Sequence, residues 1–192
     1  MQIGEEANAQ EWADPGARPD LKEVVMGLHW TPPEAGAAAE AADLDAMCVL
    51  FDAHKRVLEV VSAIHPRNAD GSVIHTGDSR AGTSEWDDER IFVFLEALPE
   101  AIASIAFVVI SATGRAFSEV RGASCHVSDH VTEQEWIRLQ LTDLGQRTAH
   151  CVATLQRSPA GWRLSREAEA VNAELMAALL SLIARGKGSA VQ

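Results

Sequence analysis

Carboxylates crowd two short stretches of this 192-residue sequence. The first is Asp43-Leu44-Asp45. On a strand, alternation sets both aspartates on one face, about 6–7 Å apart, with Leu44 on the other. Two carboxylates on one side repel unless something positive lies between them. The second stretch runs from Gly77 to Glu89, where Asp78 and the triplet Asp87-Asp88-Glu89 bracket a segment containing Gly82, just ahead of the apolar Ile91–Leu95. A hard cation such as calcium takes roughly six to eight oxygens, mixing carboxylates with backbone carbonyls. Gly77 and Gly82 would let such a loop turn its carbonyls inward. Asp78 to Glu89 has the length of an EF-hand loop, yet Arg80 stands where the third ligand belongs and Thr83 replaces the required glycine. The flanks also read as strands, so an EF-hand is excluded. On residue chemistry alone, a bound calcium ion and an ordinary solvated acidic loop account equally for the cluster.

Other chemistries find less support. Cys125, His126 and His130 lie close together and His150-Cys151 follows later. Neighbours on a strand face opposite ways, so Cys125 and His126 cannot share one zinc without a bend. Paired carboxylates and seven histidines offer acids and bases. No nucleophile elbow or glycine-rich phosphate loop accompanies them, so an enzyme is not expected. The net charge of −12, from 28 acidic and 16 basic side chains, repels phosphate backbones and argues against nucleic-acid binding. Three scattered cysteines suit no disulfide framework and point to a reducing, cytoplasmic setting. No signal-peptide pattern opens the chain, and no apolar run nears the ~18 residues of a membrane span, so membrane insertion is not expected.

The elements that must position these groups are mostly strands. Residues 1–20 are polar, with an edge strand near Met1–Ile3 as one reading and fraying as the other. Strands are expected over Val24–Leu28, Asp43–Phe51, Val57–Ile64, Ile91–Leu95, Ile105–Ile110, Ser124–Val131, Trp136–Leu141 and Ala149–Arg157, with Trp162–Leu164 after a tight turn. Ile91–Leu95 and Ile105–Ile110 are apolar on both faces, as central strands would be. Glu34–Ala42 reads as a surface loop. Many short strands between turns indicate an all-β sandwich of two packed sheets, spanning residues 21–165. Residues 166–192 form a tail in which Ala168, Val171, Leu175, Leu179 and Leu182 repeat at helical spacing. They predict one amphipathic carboxy-terminal helix, with Ser165 as its N-cap and Gly186 as its stop. Trp30 and Trp162 suit packing; Trp86 suits either a lid over the acidic loop or a contact surface.

Several of these residues also carry a family resemblance. Gly27-Leu28-His29-Trp30, Asp43-Leu44-Asp45-Ala46, Asp70-Gly71-Ser72-Val73-Ile74-His75-Thr76-Gly77-Asp78, Asp87-Asp88-Glu89, Phe107-Val108-Val109, Phe117-Ser118-Glu119-Val120 and Trp162 follow one another in the order seen in the TerD (tellurium-resistance) family. The sequence resembles that family over roughly residues 21–165. The resemblance implies calcium bound between the Asp-Leu-Asp strand and the acidic loop, with Asp43, Asp45, Asp78, Asp87, Asp88, Glu89 and the Gly82 carbonyl as ligands. It implies a stress-response role exercised with other proteins, including related stress proteins in a membrane-associated complex. Ser79, Ala81, Ser84 and Trp86 depart from the family's loop, which implies weaker or single-ion binding. An interaction domain with a weakened or lost site is the alternative.

Overall fold

The computed structural model describes residues 17–18, 21–31, 42–76, 87–166, 171, 174–179 and 181. Among them run the strands β1 (Ala17–Arg18), β2 (Glu23–His29), β3 (Leu44–Phe51), β4 (Val57–Val61), β5 (Val73–His75), β6 (Glu89–Phe94), β7 (Ser104–Ser111), β8 (Ser124–Asp129), β9 (Glu135–Gln140), β10 (Ala149–Ser158) and β11 (Gly161–Ser165). They form a six-stranded sheet in the order β1-β11-β10-β7-β3-β4 and a five-stranded sheet in the order β5-β6-β2-β8-β9. The pairings are antiparallel. The two sheets pack as a sandwich.

Alternation builds the core. Leu44, Ala46, Cys48 and Leu50 of β3 and Phe107 and Val109 of β7 meet Met26 and Leu28 of β2 and Ile91 and Val93 of β6. The intervening side chains of β3 and β7, Met47, Val49, Phe51, Ala106, Val108 and Ile110, form a second apolar layer on the outer face of the six-stranded sheet. Helical residues 174–179 cover it, with Leu179 only 2% exposed and Leu175 and Met176 packed beside it. Both faces of these strands are therefore buried, which is why they read as continuous apolar runs. β6 differs, burying Glu89, Ile91 and Val93 while Arg90, Phe92 and Phe94 stay half-buried on the other side. On the outer face of the five-stranded sheet Val25 and Ser128 are buried beside the half-buried Phe92.

Some expectations change. Ser165 ends β11, paired with Thr154, and does not cap a helix; the inward turn of Trp162 and Leu164 carries the ladder to that point. The expected strand over Val57–Ile64 stops at Val61, where Ser62 N–H bonds the His65 carbonyl in a turn. The described amino-terminal edge strand is Ala17–Arg18 against β11, whereas Met1–Ile3 lies outside the described residues. So do most of Glu34–Ala42, and Trp86 and Gly186. Trp30 and Trp162 are buried, as packing residues should be. No helix among the described residues is long and apolar enough to cross a membrane.

Candidate functional site

The two acidic segments meet near the end of β2, and Trp30 holds the stem of each. Its indole Nε1–H donates to the Ala42 carbonyl at 3.2 Å, immediately before Asp43. Its backbone N–H donates to Asp88 Oδ2 at 3.0 Å, and Asp88 returns its own N–H to the Leu28 carbonyl at 2.7 Å. His29 Nδ1 lies 2.9 Å from the same Asp88 oxygen. An aromatic body with a polar tip can fill the core and still tie loops together.

Glu89 joins the second segment to the first. It opens β6 facing inward and has no exposed side-chain surface. The ladder of β4 on β3 begins only at Cys48, so the Ala46 N–H has no strand partner on that edge. Glu89 Oε2 accepts that N–H at 2.7 Å, and His75 Nε2 stands 3.3 Å from the same oxygen. A carboxylate persists at such depth only where donors surround it. Asp45, adjacent to Ala46 in sequence, is 4% exposed. Alternation sets the Asp45 side chain on the face of β3 opposite Leu44 and Ala46, so the two segments are joined by the Glu89 bond to the Ala46 backbone.

The triplet itself is divided. Asp88 is tied to Trp30 and His29, while Asp87 lies over the outer face of the five-stranded sheet. There Arg90 Nε donates to Asp87 Oδ2 at 2.8 Å, and His126 Nε2 lies 3.2 Å from both carboxylate oxygens. Burial pushes the Asp87 carboxyl up, but the hydrogen bonds and charges of His126 and Arg90 outweigh it and hold it below the usual range. The folded state thus favours the ionised form, and this contribution is complete above the ordinary value of 3.8 and lost as pH falls below it. In paired acid melts, the stability gap between the parent and Asp87→Asn should shrink as pH drops through that range. A gap that stayed constant to pH 2 would deny these partners their effect.

Asp78 and Gly82 lie outside the described residues. Among the described residues, no three His, Cys, Asp or Glu side chains form a group able to hold a metal ion. Burial pushes the Cys125 and Cys151 thiols up to about 12. Cys125 points into the core while His126 faces outward, as strand alternation dictates. The sequence pattern marks Trp30 only as a packing residue and misses His75, Arg90 and His126 as partners of the triplet. Their pairing depends on strand order, and the nearest signal in the sequence is the Gly27-Leu28-His29-Trp30 run itself.

Comparison with known proteins places the chain. The family model described as "TerD domain" matches residues 13–181. Tellurium resistance protein TerZ of Serratia marcescens is 32% identical over 149 residues, covering 74% of this chain and 77% of that protein. Tellurium resistance protein TerD of Alcaligenes sp. is 33% identical over 153 residues, covering 76% and 79%. General stress protein 16U of Bacillus subtilis (strain 168) is 32% identical over 155 residues, covering 77% and 80%. The same sandwich occurs in a crystal structure of a homologue of telluride resistance protein (TerD) from Streptomyces coelicolor A3(2), with a TM-score of 0.68 at 22% identity over 76% of this chain and 88% of that one.

Proposed function

Because the chain belongs to the TerD domain family, we propose that it is a calcium-binding stress-response protein that works by ion-dependent assembly with other proteins and not by bond making. Tellurium resistance and general stress response are the roles named for its relatives. The observation carrying this reading is the hydrogen bond by which Glu89, a fully buried carboxylate, takes the backbone N–H of Ala46 next to buried Asp45, joining segments far apart in the chain. Like charges at such depth are costly, and a divalent ion among them offsets that cost.

The donor set suits the ion. Carboxylate and carbonyl oxygens are the ligands hard cations take, whereas burial pushes the Cys48 and Cys125 thiols up, away from the thiolate that softer metals bind. Asp43, Asp45 and Glu89 would hold calcium from the sandwich, with Asp88 offering an oxygen beside Trp30. Asp78 and the Gly82 carbonyl would complete the shell from the acidic loop. Asp87 would join only by leaving His126 and Arg90. A bound ion supplies positive charge that neutralises the cluster. The residues fix where that charge sits and which surfaces it joins. Neither nucleic acid nor a membrane interior is part of this role, and the setting is cytoplasmic.

Calcium at a hundred times its Kd would add about 2.7 kcal/mol of stability. For a domain of this size that raises Tm by about 5–10 °C. Thermal melts in calcium and in chelator read the shift directly, and Asp45→Ala with Asp78→Ala should abolish it. Identical melts for the parent in both buffers would defeat the proposal. They would leave the alternative, an interaction domain whose site no longer holds an ion. That alternative draws on the engagement of Asp87 by Arg90 and of Asp88 by the Trp30 backbone and His29.

A further inference from the structure

On the outer face of the five-stranded sheet, four directly paired positions form a row: Arg90 opposite Gly27, Gly27 opposite His126, and His126 opposite Arg138. Paired residues share a face and touch across strands. Beside this row run Phe92, Val25 and Ser128. Together with His130, whose ring stands edge-on to Phe92 at 5.0 Å, they line a cleft of about 370 Å³. The guanidinium groups of Arg90 and Arg138 stand in this row among the carboxylates of Asp87, Asp129, Glu133 and Glu135.

What occupies the row is a carboxylate. Asp87 lies over Gly27, held by Arg90 on one side and His126 on the other. Gly27 makes the room, since a Cβ there would overlap His126 Nε2 and approach Asp87 Cγ to 2.5 Å. His126 is steadied from behind by Ser128 Oγ, 3.2 Å from Nδ1. Arg138 is oriented by Glu135, its Nε donating to Oε1 at 2.8 Å. Arg90 reaches Asp87 through Nε, and the residue lines the cleft.

The geometry points to a carboxylate-recognition site for a single Asp or Glu side chain on an otherwise apolar segment of a partner protein, with Asp87 as its built-in competitor. A carboxylate side chain reproduces what Asp87 already does there, and planar guanidinium groups match it well. Asp129, Glu133 and Glu135 border the same cleft and repel a doubly charged phosphate more than a single carboxylate. Phe92, Val25 and His130 supply apolar surface for the neighbouring peptide. The site stands without the calcium proposal and could serve it. A partner that displaces Asp87 frees that carboxylate beside Asp88 and Glu89, so ion and partner would bind with positive coupling.

The test is a calorimetric titration with an acetylated, amidated peptide carrying one glutamate among apolar residues, at low salt in chelator, which keeps its outcome separate from that of the calcium reading. Asp87→Ala removes the competitor and should bind the peptide about tenfold more tightly than the parent, the size of one charge-assisted hydrogen bond. Adding Arg90→Gln, or Gly27→Ala to fill the gap, should erase that gain while far-UV circular dichroism stays unchanged. Arg90 is partly exposed, so its replacement leaves the core intact. No gain in Asp87→Ala, or a gain that survives Arg90→Gln, overturns the proposal. So does inorganic phosphate binding Asp87→Ala as tightly as the peptide, which would mark a general anion seat.

Discussion

Trp30→Ala is expected to lower stability by about 3–5 kcal/mol, as loss of a buried large aromatic does. The ring is 1% exposed within the sandwich core, so truncation leaves a cavity that the packed β2 and β3 cannot close. A second loss follows at the Ala42 carbonyl, which forfeits its indole donor just before Asp43. Trp30→Phe separates the two effects. It keeps most of the apolar area and should cost about 1 kcal/mol for the hydrogen bond, plus what the smaller ring fails to fill. The backbone N–H to Asp88 survives both changes. Urea unfolding of the three proteins checks this order. If alanine cost under about 1 kcal/mol, Trp30 would be no pillar of the fold; if phenylalanine matched alanine, packing would count for little against the indole N–H. Any calcium response should weaken with the loosening of the Asp43 segment in Trp30→Ala.

Glu89→Ala is the second large effect, expected at about 2–4 kcal/mol from the polar groups it leaves behind. The side chain is fully buried and takes the Ala46 N–H at 2.7 Å with His75 at 3.3 Å. Removing it takes the acceptor from the buried Ala46 N–H and a neighbour from His75, and an unsatisfied buried polar group costs about 1–3 kcal/mol. Glu89→Gln keeps the shape and an acceptor for Ala46 N–H, so it should recover more than half of the loss. Hydrogen exchange at Ala46 supplies a local readout, because its amide should lose protection in Glu89→Ala and keep it in Glu89→Gln. Unchanged protection in the alanine variant would mean that Glu89 does not close the edge of β3. In calcium both variants should also lose thermal stabilisation, since each removes a charge from the proposed site.

Local pattern carries much of this protein. Alternation along Asp43-Leu44-Asp45 is enough to send Leu44 into the core, and β3 obeys it. The short strands between turns specify an all-β sandwich, because a two-residue period buries one face per strand and needs a second sheet to cover it. The order of small motifs points to the family to which the chain belongs. The apolar spacing near Leu175 and Leu179 marks a helix, though not where it begins.

Other features follow only from strands meeting. Ile91–Leu95 reads as apolar on both faces, yet its outer Phe92 and Phe94 are half-buried, because no layer of the described structure covers that side as residues 174–179 cover β3 and β7. The triplet Asp87-Asp88-Glu89 reads as one ligand cluster, but β6 starts at Glu89, so Asp87 precedes the ladder and escapes the alternation that turns Glu89 inward. Its partner His126 lies 39 residues away, reachable only across the missing side chain of Gly27. Residue type and period depend on neighbours in the chain and therefore set the strands, the core and the store of charge. Which carboxylate faces which cation depends on strand order, and that is decided by the packing of two sheets.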